Sequence, residues 1–378
     1  MISHPNKVFF IRVLGSSVIR MMANFLGKET FKRGVSNYLK ANKFSNARQD
    51  DLWKALTKEA HEDGVLRKNT SVKEIMDTWT LQMGFPVVQV QRKYNGESNL
   101  ETTTFQQQRF LLYEDDNATF TESKKGIKYK WWIPISYTTP NGNFSHTVPQ
   151  FWLQPTDTAG TIEQKIEISN DEALILNVQE TGFYRVNYDE RNWKLLEQAL
   201  KSNYASIHRV NRAQILSDAF SLAQAGLLNY STALSLTKYL QQEDDYIPWK
   251  AVLHELGYLD DMLGRTGAYG DYKKYIIGEL NSTYNRLGFI SREEDNYLDF
   301  LLREKVIKCM CKLGYDPCVK EGKLNLNNPK EFSRLEKDKC KLPHETVRCL
   351  LCLMFLSLKL CLSLKPGWIV TYLTKRII

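Results

Sequence analysis

The chain has 378 residues, 43% hydrophobic and 25% charged, with 51 lysines and arginines against 43 acidic residues and a net charge of +8. This composition excludes a disordered chain, a collagen and a multi-span membrane protein, and the length accommodates two or three domains. The charge is uneven: residues 1–86 carry +6, 87–190 carry −5, 191–348 carry +3 and 349–378 carry +4, so the excess is no single basic face and does not point to nucleic acid.

Residues 16–83 read as helices. Val18, Ile19, Met22, Leu26 and Phe31 recur near helical spacing, and Phe31, Val35 and Leu39 continue a stripe. Leu52, Leu56 and Ala60 form another, after the polar cluster 45–50. Ser71 with Glu74 has the form of a capping box ahead of Ile75, Trp79 and Leu81, and Gly84 and Pro86 end that helix. From Val87 the period becomes two. Val88 and Val90 alternate with glutamines; Tyr129, Trp131, Ile133 and Ile135 alternate with Lys130, Trp132 and Pro134; Thr139–Gly142 carries an Asn-Gly hairpin cue. Strands follow around Ile162–Ile168, Ala173–Val178 and Gly182–Tyr188, and about seven short strands in this span predict a small β-sandwich. After Asp189 the pattern is helical again. Trp193, Leu196 and Leu200 share a face, as do Ile215, Ala219 and Leu222, and Pro248 is placed at a first helical position ahead of Val252 and Leu256. Helices without strands over this stretch predict a HEAT- or armadillo-like superhelix, although no clean repeat period is visible.

All seven cysteines (309, 311, 318, 340, 349, 352 and 361) lie after residue 308. Asn69, Asn117, Asn143, Asn229 and Asn281 head Asn-X-Ser/Thr triplets and are candidate glycosylation sites. Arg12 interrupts the apolar run Val8–Ile11, so the opening residues are not a secretory signal, and a secreted form would need a targeting segment from elsewhere.

A zinc peptidase helix needs two histidines on one turn with an intervening glutamate. The pairs His61-Glu62, His254-Glu255 and His344-Glu345 are followed at the fourth position by Val65, Tyr258 and Arg348, so none completes the motif. Cys349-Leu-Leu-Cys352 has dithiol spacing but sits in a leucine-rich run without a companion pair. Cys311 and Cys318 enclose a Gly- and Pro-containing turn, which allows either a local disulfide or two buried thiols. There is no phosphate loop, nucleophile elbow or paired-carboxylate signature. From these residues alone the chain reads as an interaction module.

Four stretches nevertheless resemble the zinc aminopeptidase N family, in order and spacing. Gly15-Ser-Ser-Val-Ile-Arg-Met-Met22 is similar to the segment after that family's catalytic tyrosine. The specific stretch Met76–Val87 around Trp79 is similar to the junction of its catalytic domain and β-sandwich. Gly182-Phe-Tyr-Arg-Val-Asn-Tyr188 resembles the entry to its C-terminal helical domain, and Asn211–Ile215 through Tyr246–Trp249 the first helices there. The resemblance implies an α+β multidomain chain: residues 1–86 as the helical end of a thermolysin-like catalytic domain, 87–188 as the β-sandwich, 189–348 as part of the helical superhelix, and 349–378 as a leucine-rich tail outside the family pattern. It implies a disulfide between Cys311 and Cys318, an extracellular or membrane-attached parent, and peptides as ligands.

It also implies what is missing. The family's zinc motif and its amine-gripping strand would precede residue 1, so no metal or cofactor site is expected in this chain. The transition-state tyrosine should stand three residues before Gly15, where this sequence has Arg12. The reading that follows is a portion of an aminopeptidase N-like enzyme, inactive alone. A stand-alone module binding peptides or a partner, an incomplete gene product, and a peptidase completed by another chain are its rivals. Apolar surface left uncovered would need the missing catalytic half or another protein.

Overall fold

The computed structural model describes residues 5–94, 100–112, 129–157 and 160–327. It is a mixed α+β structure that divides into two compact units, Met1–Tyr239 and Leu240–Ile378.

In the first unit four helices lead: α1 (Pro5–Leu26), α2 (Lys28–Ala41), α3 (Gln49–Glu62) and α4 (Val72–Thr80). α1 covers Pro5–Leu26, so the helix extends upstream of the predicted start. Its core-facing residues are Met21, Met22, Phe25 and Leu26, whereas Ile19 is 52% exposed. On α2 the predicted stripe is only partly covered, Phe31 and Val35 being half-buried and Leu39 exposed; the buried residues are Thr30 and Gly34. Gly34 is there because the helices touch: a Cβ on it would lie 2.7 Å from Leu56 Cδ2 of α3. Ser71 caps α4, its hydroxyl accepting from Glu74 N at 3.1 Å. The indole of Trp79 then donates to Trp132 O at 2.9 Å, fastening α4 to the strands.

Eight strands follow among the described residues: β1 (Pro86–Lys93), β2 (Leu100–Arg109), β3 (Ile133–Ile135), β4 (Tyr137–Thr138), β5 (Phe151–Leu153), β6 (Thr161–Glu167), β7 (Ile175–Leu176) and β8 (Arg185–Tyr188). One sheet has the order β6-β2-β1-β8; β3 pairs with β5 and β4 with β7. β1 is antiparallel to β2, with Val90 opposite Phe105, and parallel to β8, with Val88 opposite Val186. Two predictions need correcting. The alternation over 129–135 does not separate two faces, because Trp131 through Ile135 are all buried. The Asn-Gly turn forms, with Gly142 N bonded to Thr139 O at 2.9 Å, but it joins strands of different ladders and so makes no hairpin.

The first unit closes with α5 (Glu190–Asn203), α6 (Arg209–Gln224) and α7 (Tyr230–Thr237). Asp189 caps α5 by accepting from Asn192 N at 2.9 Å. Trp193, Leu196 and Leu200 of α5 and Ile215, Ala219 and Leu222 of α6 are buried as the periodicity predicts. The second unit holds α8 (Tyr246–Leu263), α9 (Tyr269–Leu287), α10 (Tyr297–Lys312) and α11 (Asp316–Asn327), with α10 packed on the other three. Pro248 occupies the third helical position of α8 rather than the first, which is equally tolerable because no intrahelical partner awaits an N–H there. Cys311 and Cys318 form a disulfide joining α10 to α11, Cα to Cα 5.3 Å. No helix among the described residues is long and apolar enough to cross a membrane.

Candidate functional site

The feature of the first unit that departs most from ordinary backbone chemistry is the turn between β7 and β8. Asn177, Gln179 and Glu180 have φ of 60°, 53° and 50°. The left-handed region costs an L-residue about 1–2 kcal/mol, and such strain persists only where the surroundings over-determine it. They do so here. The Asn177 side chain accepts from Gly182 N at 2.7 Å and donates to Gly182 O at 3.0 Å. Asn211 of α6 accepts from Gln179 N at 2.8 Å and donates to Asn177 O at 3.1 Å. Ser136 accepts from Val178 N at 3.0 Å, and the Gln179 amide donates to Phe144 O at 2.9 Å. Gly182 has no room for a side chain: a Cβ would stand 2.2 Å from the Tyr184 ring.

Helix α1 docks onto this turn. Arg20 donates through Nη1 to Glu180 O at 2.5 Å and through Nη2 to Gln179 O at 3.1 Å. Below the turn, Asp218 of α6 is buried and accepts from Arg185 Nη1 at 2.8 Å and Val186 N at 3.1 Å. Burial raises its pKa and the Arg185 charge opposes that rise. Glu180 is exposed as a residue, although its carboxyl feels the charges of Asp218, Arg185 and Arg20. Desolvation, then repulsion from Asp218, outweighs the attraction of Arg185 and Arg20 and pushes it up to about 7. A carboxyl that exchanges its proton near neutrality, on a strained turn against a helix, has the physical marks of a site.

The residues singled out in the sequence are dispersed. Arg12 lies within α1, upstream of Arg20. Asn69 and Asn143 are exposed in loops, and Asn229 is the exposed N-cap of α7. Asn281 is half-buried in α9 and accepts from Tyr315 Oη at 3.0 Å. Asn117 and the tail 349–378 lie outside the described residues. His61 bonds Thr70 O through Nε2 at 2.8 Å, and His208 caps α6. Cys309 is free on α10, its thiol pushed up to about 12 by burial and by Asp260, hence protonated. Among the described residues no three His, Cys, Asp or Glu side chains gather so as to hold a metal ion, and they do not fit zinc. In the second unit a cavity of about 350 Å³ has four lysines on its wall (Lys250, Lys305, Lys308 and Lys312), the last paired with Asp260.

Arg20, Glu180 and Asp218 do not stand out in the hydrophobic periodicity of the sequence. Only Asp218 left a signal, a carboxylate within the buried run Ile215–Leu222.

Two family models match successive parts of the chain: the peptidase family M1 domain over residues 10–79 and the ERAP1-like C-terminal domain over 173–352. The thyrotropin-releasing hormone-degrading ectoenzyme of Rattus norvegicus is 34% identical over 316 residues, 82% of this chain and 28% of that protein. Aminopeptidase N of Mus musculus is 37% identical over 270 residues, 71% of this chain and 26% of that one. Glutamyl aminopeptidase of Bos taurus is 35% identical over 301 residues, 79% and 29% respectively. The chain thus spans less than a third of the length of these relatives. With both models matched in family order and two of these relatives aminopeptidases by name, the chain belongs to the M1 family of aminopeptidases, which are zinc-dependent hydrolases.

Proposed function

We propose that this chain is a structural portion of an aminopeptidase N-like metallopeptidase that removes N-terminal residues from peptides, and that it does not hydrolyse peptides when expressed by itself. One observation carries the second part: the described residues do not fit the zinc that supplies the family's activated water. Arg12, at the position of the family's transition-state tyrosine, adds to it, because a guanidinium is larger, charged and differently shaped from a phenol. What the chain's own residues do is positional. Arg20 and Asn211 fix α1 and α6 to one turn, so the helix bearing position 12 and α6 keep a set geometry. Purified chain is expected to contain far less than one zinc per molecule by elemental analysis and to leave aminoacyl-coumarin substrates intact. Stoichiometric zinc with hydrolysis overturns this.

The finer architecture belongs to the same proposal. The sheets over 87–188 are read as a small β-sandwich, residues 1–86 as the helical end of a thermolysin-like catalytic domain, and 189–348 as part of a HEAT-like array. Residues 349–378 are read as a tail outside the family pattern. The relatives' names, one of them an ectoenzyme, support peptide ligands and an extracellular parent, and the Cys311–Cys318 disulfide supports the extracellular parent. The lysine-walled cavity favours a second reading, a non-catalytic module binding an acidic peptide or partner. Saturable binding of an acidic peptide that Lys305→Glu weakens, in a chain without zinc, would favour that reading.

A further inference from the structure

Beside the α3–α4 connection the first unit has a second cavity, of about 530 Å³, within the range of small-molecule sites. Its wall combines Trp132 and the half-exposed Trp152 with Gln164 of the edge strand β6, and with Arg67, Asn69 and Glu74. The side chains of Arg67, Glu74 and Gln164 have no hydrogen-bond or ion-pair partner among the described residues. Aromatic surface with uncommitted amide, guanidinium and carboxylate groups matches the chemistry of a sugar, whose C–H faces lie on rings while its hydroxyls donate and accept. Asn69 heads the triplet Asn69-Thr70-Ser71, and its exposed side chain is part of that same wall. It stands in a turn closed by Thr70 N to Arg67 O at 2.9 Å, so a sugar on its amide would begin at the cavity. By contrast Asn143 accepts from Ser145 N at 2.8 Å, Asn229 caps α7, and neither lines this cavity.

The geometry points to a built-in ligand: an N-linked glycan on Asn69 folds back into this cavity, its first sugars seated against Trp152 and held by Gln164 and Arg67. The occupant is the chain's own glycan, and the inference does not rest on catalytic competence. The test uses the full chain secreted from a mammalian host behind a signal peptide. Mass spectrometry should find Asn69 glycosylated. Under native conditions peptide-N-glycosidase should release that glycan at least tenfold more slowly than the one on Asn229, with the difference lost on denaturation. Trp152→Ala, and independently the surface pair Arg67→Ala with Gln164→Ala, should each bring the Asn69 rate to that of Asn229. Removing the wild-type glycan should change indole fluorescence. An unmodified Asn69, equal native release rates, or protection that survives the surface pair would overturn the proposal.

Discussion

Glu180 shows how one side chain reports on its surroundings. Its carboxyl rises from an ordinary 4.5 to about 7, so between those values the folded chain holds a proton that the unfolded chain has lost. Stability contributed by the protonated form is therefore present below about 4.5 and lost as pH rises toward 7. Glu180→Gln keeps an amide where the neutral acid stood. Its urea midpoint should match wild type near pH 5 and exceed it at pH 8; parallel midpoints across that range would refute the shift. Asn177 tests the strain itself. Replacement by alanine removes the side-chain bonds to Gly182 while the left-handed backbone must still be held, a loss of about 2–4 kcal/mol in urea unfolding.

Among the elements, the α2–α3 pair depends on close approach more than on a broad apolar stripe. Gly34→Ala must push against Leu56, at about 1–3 kcal/mol, and should lower the thermal midpoint; Gly27→Ala would be no control, since its φ is +79°. The disulfide closes a short loop, and its loss in Cys318→Ala is expected to cost about 2–4 kcal/mol. Faster hydrogen exchange confined to α10 and α11 is the measurement that checks it. β2 shows why some elements were hidden. The strand is LETTTFQQQR, whose buried residues are Phe105 together with the polar Thr103 and Gln107, so hydrophobic alternation cannot find it. Gln107 is tolerated in the core because its amide is used, accepting from Trp131 N at 2.7 Å and donating to Trp131 O at 3.0 Å.

For the whole molecule, the chain spans less than a third of the length of the relatives it matches, and the proposal is that its chemistry depends on a zinc-bearing segment. That condition can be tested directly. In a chimera carrying the zinc-bearing part of a relative ahead of this chain, Arg12→Tyr should raise kcat by about 10²–10³-fold, the typical worth of one oxyanion donor, with little change in KM. Equal kcat values would remove position 12 from the oxyanion. The charge distribution has a parallel meaning. The net +8 includes +4 from residues 349–378, and the lysines concentrated at one cavity of the second unit matter more locally than the total.

The sequence by itself determined the order of helices, strands and helices, the buried faces of α5 and α6, the Ser71 cap and the family, because these rest on local periodicity, local hydrogen bonds and specific short motifs. Only the tertiary structure decided the rest. Ile19 and Leu39 face solvent because the neighbouring helix lies on another side of theirs, which a count of apolar positions does not record. β8 runs parallel to β1, a pairing between distant segments that no local pattern encodes. The turn at Asn177–Gly182 is legible only when Arg20, Asn211 and Ser136, from separate parts of the chain, are seen to converge on it. The proton affinity of Glu180 likewise belongs to that convergence, since desolvation and neighbouring charge exist only after the chain has closed around it.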